Sequence, residues 1–189
     1  WLRKVPPCTT IRFPSAAASV SKEIDEMNEA AVAQFKKEHK DGGYGSLDIY
    51  YDVAADTDRW YTVRVVREET AASGAVEEAY YTFDKTTGES VILSDLFETD
   101  DYIARISENI KEQMRAQMRE DDTVEYFIDS DLPDEDFSEI DPNQDFFFDK
   151  NGDLVLCFDE YEVAPGSMGT VRFKIPKSVY RSDLQTQYR

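Results

Sequence analysis

Between Ser19 and Lys40, apolar side chains return every three or four positions, at Val20, Ile24, Met27, Ala31 and Phe35. That spacing draws one stripe along an α-helix. Ser21 stands where it can cap the start, while Lys36, Lys37 and Lys40 suit the negative end of the helix dipole. "DGGYG" stops the helix, and ahead of it "TTIRFP" reads as a short strand ended by Pro14. The period then changes. "SLDIYYDVA", "RWYTVRVVREE" and "VEEAYYTFD" are rich in β-branched and aromatic residues with partial alternation, and "DTD" and "AASG" supply turns between them. "DKTTGE" leads on into "SVILSDLF", so an antiparallel meander is expected. Helical spacing comes back at Tyr102, Ile106, Ile110 and Met114, with Asp100 and Asp101 at the dipole's positive end.

The last third is strand-like again. Asn151-Gly152 between apolar runs predicts a two-residue hairpin, whose two central residues both need positive φ. A run from Phe158 to Val163 breaks at Ala164-Pro165-Gly166 and restarts at Thr170, and "TVRFKIP" alternates cleanly. The order helix, meander, helix, hairpins predicts an α+β fold of two interlocked subdomains, each an antiparallel sheet with a packed amphipathic helix. The boundary is expected between residues 1–75 and 76–189.

Charge narrows the range of partners. Forty acidic residues against 21 basic ones give a net charge of −19. Sequence-independent nucleic-acid binding needs the opposite sign, whereas a cationic partner would be attracted. The most acidic stretch, Arg119 to Asp145, holds Tyr126, Phe127 and Phe137, which suggests a loop anchored to the body. "DSDLPDED" and "DPNQD" within it supply oxygen ligands without matching the EF-hand pattern. No apolar run approaches the roughly 20 residues of a membrane span. The chain opens on Trp1, so it reads as a processed region of a longer protein. Cys8 and Cys157 are far apart, and both a disulfide and a buried free thiol at Cys157 fit the sequence.

Catalytic patterns are missing. His39 is the one histidine, at a Lys-rich helix end, and Gly166-Ser167-Met168-Gly169 is not G-x-S-x-G. No phosphate-binding Gly signature occurs, and with so many acids a carboxylate pair is expected by chance. No catalytic residue, cofactor or metal ligand is assigned. What remains is "YEVAPGSMG", where Pro165 restricts the shapes of a Gly-hinged loop that could serve surface recognition; on residue physics alone a plain structural turn is the reading that wins.

The strand ending in "FD", the "TG" turn, "LSDLF" before a helix, and "DLVLCFDEYEVAPGSMG" followed by "IP" together resemble a bacterial domain family. It is the C-terminal domain of RsiV-like, lysozyme-sensing anti-sigma factors, which also occurs in PdaC-like peptidoglycan deacetylases. The likeness covers roughly Tyr80 to Tyr180, and Ile11 to Arg67 resembles the small α+β subdomain that precedes it. The resemblance implies a second part similar to a subdomain of the heat-shock cognate ATPase, without ATP binding. It implies a non-catalytic, extracytoplasmic binding or sensor domain of a cell-envelope protein, secreted or at the cell surface, tethered to the membrane or a lipid outside these residues. The implied partner is a protein, such as a cationic lysozyme. The implied contact residues are Tyr161, Glu162, Ala164, Pro165, Gly166, Ser167, Met168 and Gly169. Lysozyme-sensing members tend to carry an aromatic directly after the proline, where this chain has Gly166. The alternative role is an accessory domain of a peptidoglycan-modifying enzyme, or of a secreted lipoprotein.

Overall fold

The computed structural model describes residues 14–40, 44–70, 74–131 and 134–189. The chain is α+β and divides into two compact units, Trp1–Ser90 and Val91–Arg189. That division falls later than the expected 75/76 boundary. The reason is the strand Ala75–Asp84 (β3), which pairs along its whole length with Trp60–Thr70 (β2), from Trp60↔Asp84 to Glu69↔Ala75.

In the first unit, Ser46–Asp56 (β1), β2, β3 and Glu89–Val91 (β4) form one sheet in the order β1-β2-β3-β4. The first two pairings are antiparallel, with a bulge between Val53 and Ala55. Side chains on one face interlock across the strands. The buried hydroxyls of Thr62 and Thr82 lie 2.9 Å apart, and the Arg64 guanidinium forks between Asp52 and Glu78. Donation to the Asp52 carboxylate is the chief reason that Arg64 is held charged above its ordinary range.

The turn from Gln- and Thr-poor β1 into β2 and the turn after β3 meet at Asp84. Its Oδ2 accepts from Arg59 Nε (3.1 Å) and Nη2 (2.8 Å), and its Oδ1 accepts from the Thr86 amide at 2.8 Å. Gly88, at φ 79°, then closes the turn by donating its amide to the Asp84 carbonyl.

The first helix, Pro14–Glu38 (α1), starts earlier than the spacing predicts. Pro14 opens it instead of ending a strand, since a missing N–H costs nothing in the first helical turn. Ser21 therefore lies inside the helix and is no cap; residues 9–13 of the expected strand are outside the described residues. The packed stripe also turns slightly. Asn28 faces the sheet and accepts from Arg67 Nε at 3.1 Å, while Met27 is 41% exposed, its sulfur accepting from the Tyr81 hydroxyl.

The second unit is built on Asp101–Glu120 (α2) and an antiparallel sheet of Phe146–Phe148 (β5), Leu154–Phe158 (β6) and Val171–Ile175 (β7), in the order β5-β6-β7. Tyr102, Ile106, Ile110 and Met114 form the buried face of α2, as their spacing predicts. Central strand β6 is buried throughout, whereas β7 alternates, with Val171, Phe173 and Ile175 inward. Gln113 of α2 ties the two layers by donating to the Lys174 carbonyl. Lys177–Tyr180 (α3) follows β7.

The β5–β6 turn is not the predicted two-residue hairpin. Gly152 has φ 72°, but Asn151 does not take positive φ. Asp149 organises a longer turn instead, its Oδ1 accepting the amides of Asn151 and Asp153. Lys174 Nζ sits 2.6 Å from Asp149 and 3.1 Å from Asp153. Burial pushes the Asp149 carboxyl up, but the lysine and these amides outweigh it and hold it below the ordinary aspartate value.

Candidate functional site

The segment joining β6 to β7 runs from Asp159 to Thr170, and its first half departs from the expected strand. β6 ends at Phe158 and does not continue to Val163. Glu162 folds back on the chain: its Oε2 accepts the Asp159 amide at 2.7 Å, and its own amide donates to the Asp159 carbonyl. The carboxylate thus offers the Asp159 amide a local acceptor in place of a ladder partner.

Beneath this turn sits Gln144, 7% exposed. Its Nε2 donates to the Cys157 carbonyl (2.7 Å) and to Glu162 Oε1 (2.9 Å), and its Oε1 accepts the Asp141 amide. Val163 is buried, and its carbonyl accepts the Phe127 amide. The acidic segment is thereby fastened to the root of the loop, helped by Phe137 against Phe158. Farther along, the Tyr102 hydroxyl donates to the Pro142 carbonyl, and burial, the largest influence, pushes that phenol up to about 12.

Above the root, Pro165 leads into one turn of 3-10 helix, Gly166–Met168. Met168 donates its amide to the Pro165 carbonyl and Gly169 to the Gly166 carbonyl. Gly169, at φ 64° and ψ −153°, turns the chain into β7. That backbone region is essentially closed to other residues. Gly169→Ala should therefore cost about 1–3 kcal/mol from backbone strain. Nothing lies within 4 Å of the added methyl, so the loss carries no steric part. A urea melt unchanged by this substitution would mean that the turn relaxes freely.

Tyr161 is the second special backbone position, at φ 67°. A bulky residue there costs roughly 1–2 kcal/mol relative to extended or helical backbone. The residue is 61% exposed, yet its ring lies directly over Gly166. A Cβ on Gly166 would come within 2.7 Å of Tyr161 Cε1 and nearer still to Cζ and Oη.

The eight residues expected to contact a partner thus separate. Tyr161 and Ser167 are exposed, and Pro165, Gly166, Met168 and Gly169 are partly so. Ala164 is 1% exposed, its methyl packed inside the unit, so it supports the loop without presenting a side chain. Glu162 has both carboxylate oxygens committed to Gln144 and Asp159, which makes it a pin of the loop. Gln144 was legible only as an oxygen-bearing residue in "DPNQD"; nothing in a polar run signals that one amide will be buried.

The second unit holds 24 acidic and 10 basic residues, so −14 of the total charge of −19 lies there. Asp159, Glu160 and Glu162 stand on the N-terminal side of the uncharged run 163–170. Among the described residues, no three His, Cys, Asp or Glu side chains converge as metal ligands would. His39 stacks on Phe35 with ring centres 4.2 Å apart, and its Nδ1 lies 3.0 Å from the Phe35 carbonyl. Cys157 is buried in β6, while Cys8 and the pairing question lie outside the described residues.

Residues 94–178 match the family described as protein of unknown function DUF3298. The chain is 36% identical over 179 residues to the anti-sigma-V factor RsiV of Bacillus subtilis. The match takes in 89% of this chain and 62% of that protein, so the chain spans less than two thirds of its relative's length. A DUF3298 member from Bacteroides fragilis superposes with a TM-score of 0.60 at 18% identity, over 92% of this chain and 70% of that one. A second, from Pseudomonas aeruginosa, gives 0.60 at 15% identity, over 82% and 70%. At those identities the shared property is the fold. The matched span contains α2, all three strands of the second sheet and the whole Asp159–Thr170 loop, so the likeness to the DUF3298 family lies in the second unit.

Proposed function

We propose that this chain is a non-catalytic sensor domain, extracytoplasmic and part of a bacterial cell-envelope protein, with the Asp159–Thr170 loop as its recognition surface. The observation that carries the reading is the 36% identity to an anti-sigma factor along nearly the whole chain. The loop supports it physically: an uncharged tip, stiffened by Pro165 and rooted by Gln144, rises from a unit of net charge −14. Such a surface attracts a basic protein and then excludes water at the tip. A cationic lysozyme is the proposed partner.

Calorimetric titration with hen-type lysozyme at physiological salt tests this. One-site binding is expected, weakening as added salt shortens the screening length from about 8 Å. No heat and no co-elution on a sizing column would end the lysozyme reading.

A further inference from the structure

We infer that Tyr161 is the specificity-determining contact of this loop, and that Gly166 is glycine because the phenol lies on it. The inference rests on the sensor reading and deepens it by naming the residue that engages the basic partner.

Three observations meet at one point. Tyr161 occupies the left-handed region at φ 67°, a conformation that a fold does not give a bulky residue without a compensating gain. Tyr161 as a residue remains 61% exposed, so burial is not that gain. Gly166 leaves open the space that the ring covers, since any Cβ there would meet Cε1 within 2.7 Å. The ring is thus fixed on its inner face by the 3-10 turn and free on its outer face. A preoriented tyrosine with one open face is the kind of group that dominates protein interfaces, because little rotamer freedom is left to lose. Asp159 and Glu160 precede it and Glu162 follows, so the matching surface is a basic protein cleft wide enough for a phenol.

The coupling between positions 161 and 166 supplies the test. Titrations of hen-type lysozyme are made with wild type, Y161A, G166A and the double variant. Y161A should weaken binding about tenfold or more, as hot-spot truncations do. G166A, which displaces the ring, should weaken binding by a smaller factor, and its effect should vanish in the Y161A background. Y161G, which adopts φ 67° without strain, should bind as weakly as Y161A while melting no lower than wild type. That pairing separates a contact residue from a structural one. Wild-type affinity retained in Y161A and Y161G, or effects of 161 and 166 that simply add, would overturn the inference while leaving the sensor reading in place. Absence of binding by the wild-type chain would overturn both.

Discussion

Replacing Asp84 by alanine is expected to lower the stability of the first unit by about 2–3 kcal/mol, toward the lower end for breaking a buried ion pair. The carboxylate is 1% exposed and the Arg59 side chain 33%, so the abandoned guanidinium regains water more easily than a fully buried one would. The amide of Thr86 loses its acceptor as well, and with it the turn that delivers the chain from β3 to β4. Asp84→Asn keeps an oxygen for Thr86 and should lose roughly half as much, since hydrogen bonds to charged groups are worth about twice neutral ones. The pair also predicts an acid response. Burial is the largest influence on Asp84 and raises it, but Arg59 and Thr86 together bring it below the ordinary value of 3.8. A depressed carboxyl contributes stability that is fully present above the unfolded value and is lost as pH falls through the folded one. Urea melts from pH 7 down to pH 2 should therefore show the wild type losing part of its advantage below about pH 4, by the linkage relation, with that part missing from Asp84→Ala. A variant within 0.5 kcal/mol of wild type at pH 7, about the scatter of ordinary surface changes, would show that the turn holds without the pair.

The repeating parts of the fold were legible because burial imposes a period on them. Tyr102, Ile106, Ile110 and Met114 repeat at helical spacing and are the buried face of α2; Val171, Phe173 and Ile175 alternate and are the inner face of β7. Local polar competition hid the rest. "DEYE" continues the alternation of β6 in composition, but the Glu162 carboxylate captures the Asp159 amide and ends the strand. Asn151-Gly152 has hairpin composition, yet Asp149 accepts two amides and sets a wider turn. Met27 matches the helical stripe in sequence and still faces partly outward, because Asn28 has the Arg67 guanidinium to meet. No hydrophobic period records any of these side-chain-to-backbone bonds.

The site shows the same limit more sharply. The loop is proposed as a site on the family resemblance, and its Pro and Gly content marks a turn on physical grounds alone. The roles within it did not follow. Position in sequence makes Glu162 and Ala164 neighbours of Tyr161, whereas in space they form the footing of the loop and Tyr161 the tip. This chain departs from the lysozyme-sensing pattern in carrying Gly166 directly after Pro165, and the ring of Tyr161 lies over that glycine.

The footing itself is where a substitution away from the tip should be felt most. Gln144→Leu is expected to cost about 2–3 kcal/mol, since a buried carbonyl or amide left without its partner loses roughly 1–3 kcal/mol. The Cys157 carbonyl and the Asp141 amide both lose a bond, in a place where leucine offers nothing in return. Glu162 Oε1 is released too, although water reaches that exposed residue and repairs part of the loss. The effect on recognition should exceed the effect on folding. With Glu162 no longer held, the Asp159 turn that places Tyr161 at positive φ has only local bonds, and the preorientation of the ring is lost. Hydrogen exchange at the Asp159, Met168 and Gly169 amides should accelerate while β6 and α2 stay protected, and lysozyme affinity should fall with the tip sequence intact. Gln144→Glu sharpens the point, for a carboxylate there faces the carboxylate of Glu162 and should open the loop at pH 7 more than at pH 4. Unchanged exchange in both variants would mean that Pro165 and the 3-10 turn hold the tip unaided.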